Sequence, residues 1–388
     1  MKPLKVAREQ QIAVFGESGS GKTVLLSSFY GAAQEPAFVQ NSLYKITADD
    51  AAQRIRLHQN YLGMKNSGVA PTATRFAATR YVFSVTRRPT AGGRGAAKEL
   101  RLVWHDYPGE WFEEDPSTPE ELSRRTETFT ALIRSDVAVL LVDAQRLADN
   151  AGEEERYLKA LLTNYIAHVS KVRDELLPDG KRLVRFPRVW LFGLSKADLL
   201  PGMDVTGFRD LMVEKVGEEI TLLREELAAF VSEPEAFSLG EDFIVLSSAR
   251  FEPGRIDVGQ QVGVRLALPI AAMLPFSRNV RWAAAMRRGS KAAKELLERS
   301  APVLTLISTR LKLPGPLKVI TVALPFVVDP LLEHSRQKMQ DAYDAAKARH
   351  DFLTAVLLGF RLQLDDAVDD KVLICLLYTS PSPRDQRG

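Results

Sequence analysis

The feature that most constrains this chain is a glycine-rich loop close to its N-terminus. A short apolar run, residues 12–15, leads into the pattern Gly-x-x-x-x-Gly-Lys-Thr at residues 16–23, and a helix-forming segment follows at once. A strand that ends in such a loop and continues into a helix points several backbone N–H groups at one place, beside the positive end of the helix dipole. The spacing is that of the phosphate-binding loop called Walker A.

The loop therefore predicts that the chain binds a nucleoside triphosphate. We expect Lys22 to reach the terminal phosphates and the hydroxyl of Thr23 to ligate Mg²⁺. The other expected contacts of the loop are Gly16, Glu17, Ser18, Gly19, Ser20 and Gly21.

Composition limits the class of protein. The chain has 388 residues, of which 45% are apolar and 26% are charged, as in globular proteins with one large domain or two. Its single cysteine, Cys375, excludes disulfide frameworks and cysteine metal sites. No apolar run has the length of an ordinary transmembrane helix, and the first residues lack the apolar core of a secretory signal. We therefore expect a cytoplasmic protein.

Strand-like and helix-like segments alternate through the first two-thirds of the chain. Beyond the first strand, strands are expected at residues 80–87, 99–105, 136–142, 189–193 and 242–246, and helices at 48–62, 117–134, 153–176, 206–231 and 335–364. This order predicts an α/β fold with a doubly wound, mostly parallel sheet covered by helices on both faces. After residue 259 the pattern is helical, which predicts an α-helical C-terminal extension with no further strand.

Three short polar motifs directly follow predicted strands, where ligands bind in parallel sheets. Asp-x-x-Gly occupies residues 106–109, Ser-Lys-x-Asp occupies residues 195–198, and Ser-Ser-Ala occupies residues 247–249. We expect Asp106 to hold Mg²⁺ through water and the backbone N–H of Gly109 to meet the γ-phosphate.

The second and third motifs predict a preference for guanine. The carboxylate of Asp198 can accept hydrogen bonds from both N1–H and the 2-amino group of guanine, a pair of donors that adenine does not offer. The stem of Lys196 is expected to lie on the base, and the backbone N–H of Ala249 to meet guanine O6. Ser195 and Ser248 complete the expected base site. GTP and GDP are the expected ligands.

Taken together, these motifs resemble those of the P-loop GTPases of the translation-factor and Ras-like (TRAFAC) class over about residues 8–275. Within that class, Asp-Tyr-Pro-Gly-Glu-Trp at residues 106–111 resembles the signature of the YcjX-type bacterial GTPases and related bacterial GTPase domains. The resemblance implies Mg²⁺-dependent hydrolysis of GTP to GDP and phosphate, by a switch whose loops sense the γ-phosphate.

The resemblance also assigns residues that depart from the common pattern. Ser195 stands where Asn or Thr is usual, and Glu110 stands where many small GTPases carry the glutamine that orients water. Glu110 is therefore a catalytic candidate whose charge favours slow or partner-dependent turnover. Thr72 is expected to sense the γ-phosphate and to ligate Mg²⁺, with Thr74 as the alternative.

Two functional alternatives remain open at this point. The first is a nucleotide-loaded scaffold with negligible turnover, and the second is an ATPase. Arg75 and Arg80 are expected to be ordinary charges flanking a strand, with an internal arginine finger as the alternative. The nucleotide and an effector protein of unknown identity are the expected partners.

The sequence predicts a GTPase domain at 8–275 with a helical insertion at 35–70, a helical extension at 276–373, and a non-native tail at 374–388 that resembles translated adapter DNA. Residues 278–299 form a basic amphipathic pattern, and residues 319–328 form an apolar run. Residues 278–328 are therefore a candidate contact with an anionic membrane, with burial in the core as the alternative. No nucleic-acid partner is expected, because the basic residues of this stretch are not interleaved with aromatic residues that could stack on nucleobases.

Overall fold

The computed structural model describes residues 8–71, 79–88, 98–106, 109, 118–133, 135–177, 180, 182–183, 188–252, 255–285, 333–348 and 352–375. The strands are β1 (Arg8–Phe15), β2 (Tyr44–Ala48), β3 (Thr79–Arg87), β4 (Lys98–Asp106), β5 (Val137–Asp143), β6 (Val189–Ser195), β7 (Ser238–Val245), β8 (Arg250–Glu252), β9 (Arg255–Asp257) and β10 (Leu373–Ile374). The α-helices are α1 (Lys22–Ala32), α2 (Pro36–Asn41), α3 (Ala51–Ser67), α4 (Pro119–Leu132), α5 (Ala144–Asp149), α6 (Glu154–Leu176), α7 (Val205–Ala228), α8 (Ala267–Ala285), α9 (Glu333–Ala348) and α10 (Phe352–Asp369).

Eight of these strands form one twisted sheet in the order β10-β7-β6-β5-β1-β4-β3-β2. The five strands from β7 to β4 in this order are parallel, whereas β3 pairs antiparallel with β4, β2 with β3, and β10 with β7. β8 and β9 form a separate antiparallel hairpin. The predicted doubly wound, mostly parallel α/β fold is confirmed.

The sheet is buried on both faces because helices cover each side. In β5 all seven residues are buried, and successive side chains point to opposite faces. Val137, Val139 and Leu141 belong to one hydrophobic cluster, which also contains residues of α1 and α8. The residues between them, Ala138, Leu140 and Val142, belong to a second cluster with α6 and α7. Tyr157, Leu161, Tyr165 and Val169, which recur at helical spacing along α6, are all buried in this second cluster.

The predicted insertion contains more regular structure than the sequence indicates. The sequence predicts one helix from residue 48, but residues 44–48 form β2 and pair with β3. Helix α3 begins at Ala51, since the carboxylate of Asp50 accepts a hydrogen bond from the Gln53 backbone N–H at 2.7 Å and so caps it. Gly68, with φ of 61°, ends the helix.

The C-terminal region departs from two predictions. Residues 335–364 do not form a single helix, because the structure has α9 and α10 with residues 349–351 outside the described part. The expectation of no strand after residue 259 is wrong, since Leu373 and Ile374 pair with Ile244 and Phe243 of β7. Helix α8 runs through the predicted domain boundary at 275–276 without a break. The division into domains stays a prediction.

The structure corrects one member of the predicted basic surface. Arg278 is fully buried, and its guanidinium pairs with Asp242 of β7. It therefore contributes no charge to a membrane-facing surface. Most of the candidate membrane segment, residues 286–328, lies outside the described residues. Among the helices that the structure describes, none combines the length and the apolar character needed to cross a bilayer.

Candidate nucleotide site

A cavity of about 380 Å³ lies at the carboxyl ends of the parallel strands, where the fold places ligands. Eleven of the residues predicted to contact nucleotide line it, from the phosphate loop, the Asp-x-x-Gly glycine and the two base motifs: Ser18, Gly19, Ser20, Gly21, Lys22, Thr23, Gly109, Ser195, Lys196, Asp198 and Ser248. Gly16, Glu17, Asp106 and Ala249 do not line it.

The phosphate loop has the backbone that its glycines allow. Gly19 and Gly21 have φ of 78° and 88°, in the left-handed region that other residues rarely adopt, and Gly21 is the N-cap of α1. The ammonium group of Lys22 is buried under the loop and donates to the carbonyl oxygens of Gly16 at 2.5 Å and Glu17 at 2.9 Å. These contacts hold the positive charge where phosphate oxygens are expected.

The two predicted metal ligands that the structure describes come together. Strand β4 lies parallel to β1, so Asp106 at the end of β4 is next to the helix that follows β1. The Thr23 hydroxyl is 3.4 Å from Oδ2 of Asp106, and Asp106 is buried. Oxygen ligands from a hydroxyl and a carboxylate suit Mg²⁺, which otherwise takes phosphate oxygens and waters.

Gly109 lies directly against the phosphate loop. A Cβ atom at this position would be 2.3 Å from the backbone nitrogen of Ser18 and 2.4 Å from the carbonyl carbon of Glu17. Because both neighbours are backbone atoms, no side-chain rotation can make room. A glycine is therefore required for this close approach of the two predicted phosphate-binding segments.

The Ser-Lys-x-Asp motif at residues 195–198 is held by hydrogen bonds with three other residues, as follows. Oδ1 of Asp198 accepts from the Ser247 hydroxyl at 2.8 Å, and Oδ2 accepts from the Phe251 backbone N–H at 3.2 Å. The Ser195 hydroxyl donates to the Val142 carbonyl oxygen at 3.2 Å and so ties β6 to β5. Each carboxylate oxygen keeps a further lone pair for a ligand donor. The orientation of Asp198 is therefore fixed before any ligand binds.

Several lining residues are absent from the sequence prediction. Ala70, Pro71, Gln145, Leu199 and Phe251 line the cavity, and all come from loops or short elements whose positions depend on tertiary contacts. Phe251 lies on β8, two residues after the Ser-Ser-Ala motif, and an aromatic residue so close to that motif is the one signal that the sequence offered.

Ala249, whose backbone N–H is predicted to meet guanine O6, belongs to the core. It is fully buried in a small cluster with Tyr61, Met64, Ile256 and Val258, which joins α3 to the β8–β9 hairpin. Ser248, its neighbour in the chain, lines the cavity instead.

The side chain of Glu17 points away from the cavity. It is 8% exposed and turned toward α5 and α6, where Oε1 pairs with Arg146 at 3.1 Å and Oε2 accepts from the Tyr157 hydroxyl at 3.2 Å. The negative charge in the loop is thereby kept away from the cavity, since the carboxylate would repel phosphate groups.

Some of the predicted residues cannot be placed. Thr72, Thr74, Arg75 and Glu110 lie outside the residues that the structure describes. Arg80 forms an ion pair with Glu9 at 3.2 Å, as expected of a charge that flanks a strand.

Residues 10–178 match the family model described as Double-GTPase 2. This segment contains the phosphate loop and the Asp-x-x-Gly motif, but it spans less than half of the chain and ends before the Ser-Lys-x-Asp motif. Over this segment the chain is similar to P-loop GTPases. No curated protein sequence matches the chain.

Two solved structures have weak similarity to the chain. One is the Roco2 RocCORdC protein of Methanosarcina barkeri bound to GDP, with 15% identity and a TM-score of 0.23 over 64% of this chain and 45% of that one. The other is the conserved domain of the dynein light intermediate chain, with 12% identity and a TM-score of 0.20 over 62% of this chain and 68% of that one. The present chain thus spans less than half of the Roco2 protein. Scores this low carry no argument about function.

Proposed function

We propose that this protein binds GTP and hydrolyses it to GDP and phosphate as a nucleotide-dependent switch. The observation that carries the proposal is that one cavity is lined by both the phosphate loop and the Ser-Lys-x-Asp motif. Lys22 and Asp198 come from segments far apart in the sequence. The cavity size suits a small ligand that reaches from one to the other.

In the proposed mechanism, the loop N–H groups and Lys22 bind the phosphates. Lys22 exchanges its two carbonyl contacts for phosphate oxygens and neutralises the charge that develops during in-line attack by water. Thr23 and Asp106, with Thr72 from the sequence prediction, would hold Mg²⁺, which would supply further positive charge to the phosphates. The N–H of Gly109 senses the γ-phosphate, so the loop after it responds to hydrolysis.

The base site supports guanine over adenine by its hydrogen bonds. Asp198 is oriented by Ser247 and Phe251, and its remaining lone pairs accept from N1–H and the 2-amino group. The stem of Lys196 and the ring of Phe251 flank the base. The backbone N–H of Ala249 is proposed to meet O6, beside Ser248, which lines the cavity.

Glu110 is the proposed water-positioning residue, on the sequence argument alone. If its carboxylate orients water, Glu110→Ala lowers turnover at least about 10-fold with little change in GTP affinity, and Glu110→Gln retains an orienting group. The sequence at residues 106–111 also supports a relationship to the YcjX-type GTPases, although it contains only two described residues, Asp106 and Gly109.

The deciding experiment measures affinity and multiple-turnover hydrolysis for GTP and ATP on the purified chain. We expect GTP to bind more tightly than ATP and to be hydrolysed, and Lys22→Ala to abolish both properties. Equal affinity for the two nucleotides supports the ATPase alternative. Tight GTP binding with negligible turnover, unchanged by either Glu110 variant, supports the scaffold alternative. A Lys22→Ala variant that behaves like the parent overturns the phosphate site.

A further inference from the structure

A chain of contacts connects the phosphate loop to the Ser-Lys-x-Asp motif, mostly through side chains that do not line the nucleotide cavity. It begins at Glu17, whose carboxylate accepts from the Tyr157 hydroxyl at 3.2 Å. The same hydroxyl accepts a hydrogen bond from the Asp143 backbone N–H at 3.2 Å. The carboxylate of Asp143 in turn pairs with the ammonium group of Lys196, at 2.7 Å. Four residues, two from loops and two from β5 and α6, thus form one connected network.

The chemistry of Tyr157 fixes its role in this network. Burial and the adjacent Glu17 carboxylate raise the pKa of its phenol far above the usual range, so the group stays protonated. A protonated phenol that accepts from the Asp143 N–H has its single proton left for Glu17. Because the ring is packed in the core cluster of α6, the hydroxyl cannot leave this position without breaking both hydrogen bonds.

Asp143 is the residue that joins the two halves. It ends β5, and its Oδ1 accepts from the Gln145 backbone N–H at 2.9 Å at the start of α5. Its Oδ2 holds Lys196, which has a left-handed backbone with φ of 53° and therefore depends on such contacts for its position. Both carboxylate oxygens are thus engaged, and a shift of the Asp143 backbone moves Lys196.

We propose that Tyr157 is a positioning residue that couples the phosphate loop, through Glu17, to the base-flanking Lys196, through Asp143. This inference rests on the proposed function and extends it, because it makes the binding of phosphates and base cooperative. When phosphates bind and order the loop, Glu17 is held in one position, and the network then holds Lys196 against the base. The coupling uses three side chains that do not line the nucleotide cavity: Glu17, Asp143 and Tyr157.

A double-mutant cycle tests this role. Tyr157→Phe removes only the hydroxyl, and we expect it to weaken GTP affinity about 10-fold in the parent protein, the effect of losing about 1.4 kcal/mol. In a Lys196→Met background the same Tyr157→Phe change is expected to weaken GTP affinity less than about 3-fold, because the side chain that links the network to the base is already removed. Tyr165→Phe, on the same buried face of α6 two turns away, is the matched control and is expected to leave affinity unchanged in both backgrounds.

The outcomes separate this inference from the proposed function. A merely structural hydroxyl gives the same loss of affinity in both backgrounds, and this additivity overturns the inference. A Tyr157→Phe variant that binds GTP like the parent overturns it as well. In either case the parent still binds GTP, so the proposed function stands. A parent that binds no guanine nucleotide overturns the proposed function and the inference with it.

Discussion

Arg278 of α8 and Asp242 of β7 form an ion pair that is closed off from solvent. Nη2 of Arg278 lies 2.5 Å from Oδ1 and 2.7 Å from Oδ2 of Asp242, and the two side chains are 1% and 0% exposed. The pair joins the helix that crosses the predicted domain boundary to the sheet that carries the nucleotide cavity. An arginine that the sequence placed in a basic surface is thereby part of the core.

Breaking this pair is expected to destabilise the protein strongly. Arg278→Ala leaves the Asp242 carboxylate buried without its cation, which typically lowers the free energy of unfolding by about 3–5 kcal/mol. Chemical denaturation of the parent and the variant measures the difference. Arg336→Ala is the matched control, because Arg336 pairs with Asp366 and Asp369 at the surface and should contribute less than about 1 kcal/mol. Equal losses of unfolding free energy in Arg278→Ala and Arg336→Ala would contradict the burial of the pair between Arg278 and Asp242.

Gly109→Ala is expected to disturb the phosphate site. The added methyl group would lie 2.3 Å from the Ser18 backbone nitrogen, so the phosphate loop must move. We expect GTP affinity to fall at least about 10-fold and the free energy of unfolding to fall by about 1–3 kcal/mol. Gly202→Ala is the control, since no atom lies within 4 Å of a Cβ added there. Calorimetric titration with GTP decides, and an unchanged affinity in Gly109→Ala would rule out the close approach.

Asp198→Asn is expected to change base preference. The amide nitrogen replaces one of two acceptor oxygens, so the binding free energy of GTP should weaken by about 2 kcal/mol. Xanthosine triphosphate, whose 2-oxo group suits the amide, should bind more tightly to the variant than to the parent. Asp210→Asn makes the same chemical change on the exposed side of α7, where the carboxylate pairs with Arg209, and should alter neither affinity. Competition binding with both nucleotides measures the shift. A variant that loses affinity for GTP and xanthosine triphosphate alike would point to misfolding rather than to base recognition.

His105 is expected to make stability depend on pH. Burial, together with the nearby Arg80 guanidinium, lowers the pKa of His105 from its ordinary value of 6.5 to about 4. Between these two values the unfolded chain binds a proton that the folded protein does not, so stability is lost as pH falls through this window and no further below it. The full shift corresponds to at most about 3 kcal/mol.

The test compares the pH dependence of the free energy of unfolding in the parent and in His105→Gln. The variant has no titrating ring, so its stability should change less between pH values of about 7 and about 4.5. Because Nε2 of His105 is 3.4 Å from Oε1 of Gln11, the glutamine amide retains a donor for that contact. Identical pH profiles for parent and variant would show that another group carries the effect.

Local patterns in the sequence were enough to predict the sheet and the phosphate loop. Residues 16–23 carry their own glycines, lysine and threonine, and the loop geometry depends mainly on backbone freedom at Gly19 and Gly21. Continuous apolar runs such as β5 predict strands buried on both faces, because only a covered parallel sheet removes every side chain from water. These properties are decided within a few residues, and the motif at 195–198 lies at the expected strand end for the same reason.

Contacts between distant segments decided the rest. Whether residues 44–48 form a strand depended on pairing with β3, and whether Ala249 or Ser248 faces the cavity depended on the packing of α3 against the β8–β9 hairpin. The side chain of Glu17 is held toward α5 and α6 by Arg146 and by Tyr157, which lies 140 residues further along the chain. The sequence by itself determined the strand-loop-helix unit and the residue types at the strand ends, because these follow from backbone preference and side-chain periodicity. Only the tertiary structure decided which charges are buried and paired, because the energy of a charge depends on partners and solvent that its own neighbours in sequence do not supply.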